Sequence, residues 1–594
     1  MTDPDVTRRR FMAHFAGAGL GTTLLPGALW ARMQEAGGEQ ITADMMSDAL
    51  ALAGLEFDEE EREAMLEAVN DRLSDYEELH ELKIPNDISP PFHFSPLVPG
   101  MEVDRAVEPF RMSSIPTPRR PSNLEDVAFW SVRRLSELVR SRQVSSVELT
   151  EMYLGRLRRY NPLLNCVVTF TDDLAMGQAQ QADREIAAGR YRGPLHGIPW
   201  GAKDIIAARG YKTTWGSPAY QDQVIDMDAS VIEMVREAGA VLVAKLATGE
   251  LAGGDRWFGG QTMNPWDPTT GSGGSSAGPG SATAAGLVGF SIGTETSGSI
   301  LGPSSRCGVT GLRPTLGRVS RYGVMALSWT QDRLGPMCRY AEDCALVMRA
   351  ISRPDGRDLS VQDLPFNWNA TLDVRRMRVG YLEEAFEEAD DPVLRRLNQQ
   401  TLDDLRSLGM TLTPIDIPEW SVSVTAHNVE MAVFFDELLR SGRADLLGQQ
   451  RRADGLRSAR LIPAVEYLQS QRARTMMMMR LAEATAGVDV YLVPRGTRRR
   501  PPAGGDAAPP ADPPPDPPPY SASRNASNMT NYACHPAVAV PNGFNENGTP
   551  ASMTFYAQPF KESQLLAVAR AYQDATGHHL KHPDLDSAAE GAGR

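Results

Sequence analysis

An α/β fold, with a sheet covered on both faces by helices, follows from three features of the sequence. Short apolar-rich runs bounded by turn residues recur along the chain: Val241-Leu242-Val243-Ala244, then residues 377–381, 488–493 and 537–540. Runs of this length without polar alternation read as strands buried on both faces. Helical stretches lie between them. The clearest is opened by the capping box Ser145-x-x-Glu148, carries Val147, Leu154 and Leu157 inside, and meets a stop at Asn161-Pro162. Finally, 594 residues that are 42% hydrophobic and 23% charged form a globular composition, long enough to bury a large core.

The N-terminal part divides in two. Thr7-Arg8-Arg9-Arg10-Phe11-Met12 stands directly before a Gly/Ala/Leu-rich stretch, so residues 1–31 are expected to be a twin-arginine export leader sending the chain to the periplasm. His14, several glycines and Pro26 make a membrane span a poorer reading, and contact with a membrane is expected only through a leader that escapes cleavage. Residues 32–112 read as a helical extension. Thr42 can cap a helix to about Gly54; behind the acidic run Asp58 to Glu61, residues Met65, Leu66, Val69, Leu73, Tyr76 and Leu79 repeat at helical spacing. Proline-bearing sequence from Pro85 to Pro121 sets this piece apart from the main domain, residues 113–594. Within that domain residues 499–520 form a loop insertion, since ten prolines between Pro501 and Pro519 exclude a helix or an inner strand.

Charge and cysteine content exclude several function classes. With 60 Lys+Arg against 75 Asp+Glu the net charge is −15, a field that repels polyanions, so no nucleic-acid partner is expected. Five cysteines show no C-x-x-C pair and are odd in number, which indicates neither a zinc site nor a disulfide framework. His578, His579 and His582 lack a further ligand set and read as a solvated tail, and Met476 to Met479 read as packing residues. No cofactor and no metal are expected. Trp200, Trp215, Trp257, Phe258 and Trp329 are equally candidates for an apolar pocket and for core.

The most unusual stretch is Gly271 to Gly311, dense in glycine and serine. A phosphate-binding loop fails for want of a lysine after Ser275-Ser276. Gly274-Ser275-Ser276-Ala277-Gly278 formally matches a nucleophile elbow on Ser276, with His427 or His535 as a distant base, but loop-like Asn264-Pro265-Trp266-Asp267-Pro268 precedes it where a strand is required. A third reading joins Lys203 in Gly197-Ile198-Pro199-Trp200-Gly201-Ala202-Lys203-Asp204, Ser275, and Ser299 in Gly293-Thr294-Glu295-Thr296-Ser297-Gly298-Ser299. Together with Cys307-Gly308-Val309-Thr310-Gly311-Leu312-Arg313-Pro314-Thr315, these blocks resemble the amidase signature family over roughly residues 123–590.

The resemblance implies a large domain with a mixed central sheet flanked by helices, acting on a small-molecule amide. It implies Ser299 as the acyl-accepting nucleophile, Ser275 as a bridging serine on a cis peptide, and Lys203 as the base. The N–H groups of Thr296, Ser297, Gly298 and Ser299 are then the oxyanion hole, which small residues allow by letting successive amides converge. Lysine serves as a base only when neutral, so its pKa must be lowered; apolar Ile198, Pro199, Trp200, Ile205 and Ile206 offer burial, and nearby positive charge would add to it. The chain departs from the family at Glu295 (usually Asp), Ser297 (usually Gly) and Leu301 (usually Arg), and Ala277-Gly278-Pro279-Gly280 replaces a Gly-Gly-Ser run. Arg306 is the expected substitute for the missing arginine. The expected activity is that of an exported serine amidase. The alternatives are a protein like the glutamine-hydrolysing A-subunit of an amidotransferase and an inactive amide- or peptide-binding protein. Whether the chain is a monomer or a homodimer stays open.

Overall fold

The computed structural model describes residues 41–53, 55–82, 107–389, 391–424, 426–494 and 520–592. The expected leader, residues 1–31, and residues 499–519 of the proline-rich loop lie outside them. The described chain forms two compact units.

The larger unit is built on a mixed sheet of eleven strands: β1 Val167–Phe170, β2 Pro199–Lys203, β3 Val241–Leu246, β4 Phe290–Glu295, β5 Thr310–Arg313, β6 Arg333–Cys338, β7 Arg378–Leu382, β8 Thr411–Ile415, β9 Val490–Pro494, β10 Ala537–Phe544 and β11 Pro550–Ala557. Their order is β1-β3-β2-β4-β6-β5-β10-β11-β9-β7-β8. The pairs β3/β2, β2/β4, β11/β9 and β9/β7 show why the sheet is mixed: the first two and the last are parallel, the third antiparallel. Every residue of β2, β3, β4, β5, β6 and β9 is buried, as flanking helices on an α/β sheet require. β3 therefore buries a charge: Lys245 Nζ lies 2.8 Å from Asp204 Oδ1 and 2.9 Å from Thr213 Oγ1, all fully buried. A buried lysine is tolerated only with such partners.

Two expectations need correction. The capping box at Ser145 forms, but the helix Ser146–Leu164 runs through Pro162 and ends at left-handed Asn165. Pro162 sits in the last turn, and Asn161 Oδ1 accepts from the N–H groups of Cys166 and Val167 at 2.9 Å, so the chain turns after that helix end instead of at it. Near the C-terminus, buried His579 meets Tyr340 edge-on and is packed instead of solvated, whereas His582 is exposed as expected while stacking on Phe129 at 4.0 Å. Among the described residues no group of three His, Cys, Asp or Glu side chains could hold a metal.

The smaller unit joins the N-terminal helices to a distant segment, residues 421–477, and to residues 327–330. Thr42 caps the helix Ala43–Leu52, and Asp58 with Glu61 forms a capping box on Glu59–Glu81. Their apolar stripes meet: Ile41, Met46, Leu50 and Met65 are buried together, with Leu66, Val69, Leu73 and Leu461 packed against them. Arg457, itself buried, pairs with Glu61 at 2.5 Å and Asp445 at 2.8 Å. Glu430 gathers Ser328 Oγ (2.7 Å), Thr330 N (3.0 Å) and Thr330 Oγ1 (2.8 Å). Residues 107–112, grouped by sequence with the extension, are fastened instead to the larger unit, where Arg111 N donates to Trp368 O and Ala370 N to Arg111 O.

Candidate active site

The parallel neighbours β2 and β4 end side by side, and loops at such strand ends are where α/β sheets place their chemistry. The register pairs Ala202 with Ile292, so Lys203, the last residue of β2, faces the end of β4. Its amine is fully buried and lies 2.8 Å from Ser275 Oγ, 2.8 Å from Thr294 Oγ1 and 3.4 Å from Thr294 O. Burial brings its pKa down from 10.5 to about 7; the negative charges of Asp332 and Glu295 act the other way. The expected help from nearby positive charge is absent among these causes, and desolvation alone carries the shift.

Ser275 stands just before the helix Ala277–Ala284, and the Gly274–Ser275 peptide is cis. The loop is held from behind by residues 249–255. Gly249 N donates to Ser275 O at 3.3 Å, and Gly273 N to Asp255 Oδ2 at 2.9 Å. A Cβ on Gly274 would come within 1.7 Å of Gly254 O, which is why this position has no side chain. Ser276 is fully buried, its hydroxyl donating to Thr294 O (3.1 Å) and accepting from Thr294 N (3.2 Å). That use leaves the elbow reading without a free nucleophile, and His535 is itself engaged with Tyr491 Oη at 2.9 Å.

Ser299 follows β4 on the loop Thr296 to Ser299, which turns at Gly298 with φ +86° into the helix Leu301–Cys307. Ser276 N donates to Ser299 O at 3.1 Å, which ties the two serine loops together. The structure thus brings Lys203 and Ser275 into direct contact and sets Ser299 beside them. Among the described residues the hydroxyls of Ser275 and Ser299 do not bond to each other, and the N–H groups of residues 296–299 donate to no protein acceptor. Such free amides at a positive-φ glycine are suited to an oxygen anion.

This loop is held by Glu295, noted in the sequence as a departure, and by Arg313, Gln331, Asp332 and Arg333, to which the sequence assigned no role. Fully buried Glu295 accepts from Ile300 N (2.7 Å) and Leu301 N (2.9 Å) and pairs with Arg313 at 3.0 Å. Arg313, not Arg306, therefore replaces the missing arginine; Arg306 Nε donates to Gly271 O instead. Thr296 is held by three consecutive residues: Gln331 Nε2 and Arg333 Nη2 each donate to its carbonyl at 2.9 Å, and its hydroxyl donates to Asp332 Oδ1 at 2.6 Å. Of the aromatic candidates, Trp200 stacks on Phe290 inside the sheet and is core.

A sequence profile described as Amidase matches residues 148–566. The chain is 34% identical over 474 residues to the A-subunit of the glutamyl-tRNA(Gln) amidotransferase of Methylococcus capsulatus, covering 74% of this chain and 96% of that one. Its counterpart in Geobacter metallireducens is 31% identical over 483 residues, covering 76% and 98%. The native peptide amidase of Stenotrophomonas maltophilia superposes with a TM-score of 0.66 at 28% identity, covering 77% of this chain and 99% of that structure. A bacterial aryl acylamidase gives 0.67 at 22% identity, a likeness of fold alone. Matched over most of its length by profile, sequence and structure, the chain belongs to the amidase signature family and is an amide-bond hydrolase of that family.

Proposed function

We propose that the chain is a serine amidase acting through Ser299, Ser275 and Lys203, and the observation that carries this reading is the buried Lys203 amine 2.8 Å from Ser275 Oγ. A neutral amine has two N–H groups and one lone pair. Thr294 Oγ1 and Thr294 O accept the two hydrogens, which leaves the lone pair for the Ser275 proton. As Lys203 takes that proton, Ser275 Oγ takes the proton of Ser299, and Ser299 Oγ bonds to the amide carbon. The carbonyl oxygen becomes an anion held by the N–H groups of residues 296–299. Collapse breaks the C–N bond, the departing nitrogen recovers the relayed proton, and an ester on Ser299 remains. Water repeats the sequence, releasing the carboxylic acid and restoring the hydroxyl.

The test is intact mass after treatment with a fluorophosphonate. An adduct is expected on the parent protein and on Ser276→Ala, and none on Ser299→Ala. Loss in Ser276→Ala alone would return weight to the elbow, and no adduct on the folded parent would favour a binding protein. The names of the curated relatives favour a second reading, glutamine hydrolysis within an amidotransferase. Turnover of glutamine in preference to simple carboxamides would select it.

We also propose export, on the strength of Arg8-Arg9-Arg10-Phe11 and the apolar stretch behind it. Replacing Arg8, Arg9 and Arg10 together by lysine is expected to leave the protein in the cytoplasmic fraction of an expressing bacterium. An unchanged distribution would discard the leader.

A further inference from the structure

Ser297, exposed on the loop two positions before Ser299, stands where the family usually has glycine. Its hydroxyl lies 3.2 Å from Gln331 Nε2. The orientation of that contact is fixed by the other partner: Thr296 O, 2.9 Å away, is only an acceptor, so the atom of Gln331 facing it must be the amino nitrogen. One N–H of that nitrogen goes to Thr296 O and the second to Ser297 Oγ. Ser297 therefore accepts, and its own O–H proton is turned elsewhere, with no acceptor among the described residues. Gln331 is fully buried, and its carboxamide oxygen has no donor. An apolar residue would avoid that desolvation cost, so the residue type is accounted for by what its amino group holds. Thr296, also gripped by Asp332 and Arg333, keeps the whole arrangement in place.

We propose that Ser297 is a specificity-determining residue: held as an acceptor by Gln331, it donates its hydroxyl proton to a second oxygen of the substrate, beside the scissile carbonyl, with Gln331 as its positioning residue. The hydroxyl stands on the same loop whose N–H groups lack protein acceptors, so one substrate meets both. The class so favoured is carboxamides whose acyl part carries a further carbonyl oxygen, of which N-acylamino-acid amides are the simplest. The inference rests on the assignment of Ser299 as nucleophile.

The test compares N-acetylglycinamide with hexanamide, equal in heavy atoms but lacking the second carbonyl, on the parent, Ser297→Ala and Gln331→Leu. The ratio of their kcat/KM values is expected to fall about fivefold to tenfold in both variants, the worth of one hydrogen bond. Where turnover is too slow, the ratio of their dissociation constants is read instead from the protection each gives against fluorophosphonate labelling. A ratio unmoved in either variant, with Ser299 still labelled, overturns this inference and leaves the nucleophile assignment standing. A parent protein that forms no adduct on Ser299 removes the assignment and the inference with it.

Discussion

Replacing Lys203 by methionine is expected to lower kcat/KM for a carboxamide by roughly three to five orders of magnitude, because a serine hydroxyl without a base is a poor nucleophile. Methionine fills similar volume in a fully buried site, so the fold is retained. In the parent, kcat/KM is expected to rise with pH through about 7, as Lys203 loses its proton, and to level off beyond it. The same shift links to stability. Between pH 7 and 10.5 the unfolded chain holds a proton on this amine that the folded chain has released, so parent stability gains with rising pH across that window. Lys203→Met should lack that part of the slope in denaturant titrations run at several pH values. Turnover that persists in the variant with the parent's pH profile would take Lys203 out of the mechanism.

Glu295→Gln is expected to cost about 3–5 kcal/mol of stability, the usual result of stripping one partner from a buried charge pair. Two guanidiniums depend on this carboxylate. Arg313 is fully buried against it, and buried Arg333, its pKa brought down to about 10 by desolvation and by Arg313, has Asp332 as its remaining nearby anion. Burial pushes the Glu295 carboxyl up, but Arg313, Arg333 and the N–H groups of Leu301 and Ile300 outweigh it and hold the group below its ordinary 4.5. Its contribution is therefore complete above about pH 4.5 and is lost as pH falls through the lowered value. Glu295→Gln should lose stability at neutral pH and show a flatter acid limb. A change under about 1 kcal/mol with an unaltered acid limb would contradict the pairing.

The parts of the candidate site legible in the sequence are those written as short blocks near strand ends. Lys203, Ser275 and Ser299 each stand in a glycine-bearing segment whose spacing reports local backbone needs, and the apolar neighbours of Lys203 announced its burial. What was not legible is set by strand order. Glu295 pairs across the sheet with Arg333, and Arg313 ends the strand beyond that one, a relation fixed by the β4-β6-β5 neighbourhood and by no spacing. Arg306 is nearer to Glu295 in sequence, but its side chain donates to Gly271 O instead. Gln331 carried no motif at all; an isolated glutamine before a strand gives no signal until Thr296 is placed beside it. In the same way the stripe Met65, Leu66, Val69 and Leu73 announced a buried helix face, while its cover, in residues 421–477, could not be named from periodicity.

That last pairing has a bearing on how the chain is made. The helices Ala43–Leu52 and Glu59–Glu81 leave the ribosome about 340 residues ahead of the segment that covers them, a delay of roughly 20–70 s at ordinary rates of synthesis. Each helix could coil within microseconds, yet Met46, Leu50 and Met65 have only each other to pack on until Leu461 arrives. For most of translation the part of this apolar face that Leu461 covers is open. The smaller unit thus closes late in synthesis, and a ribosome stalled before residue 421 would carry a chain in which these two helices have only each other to dock on.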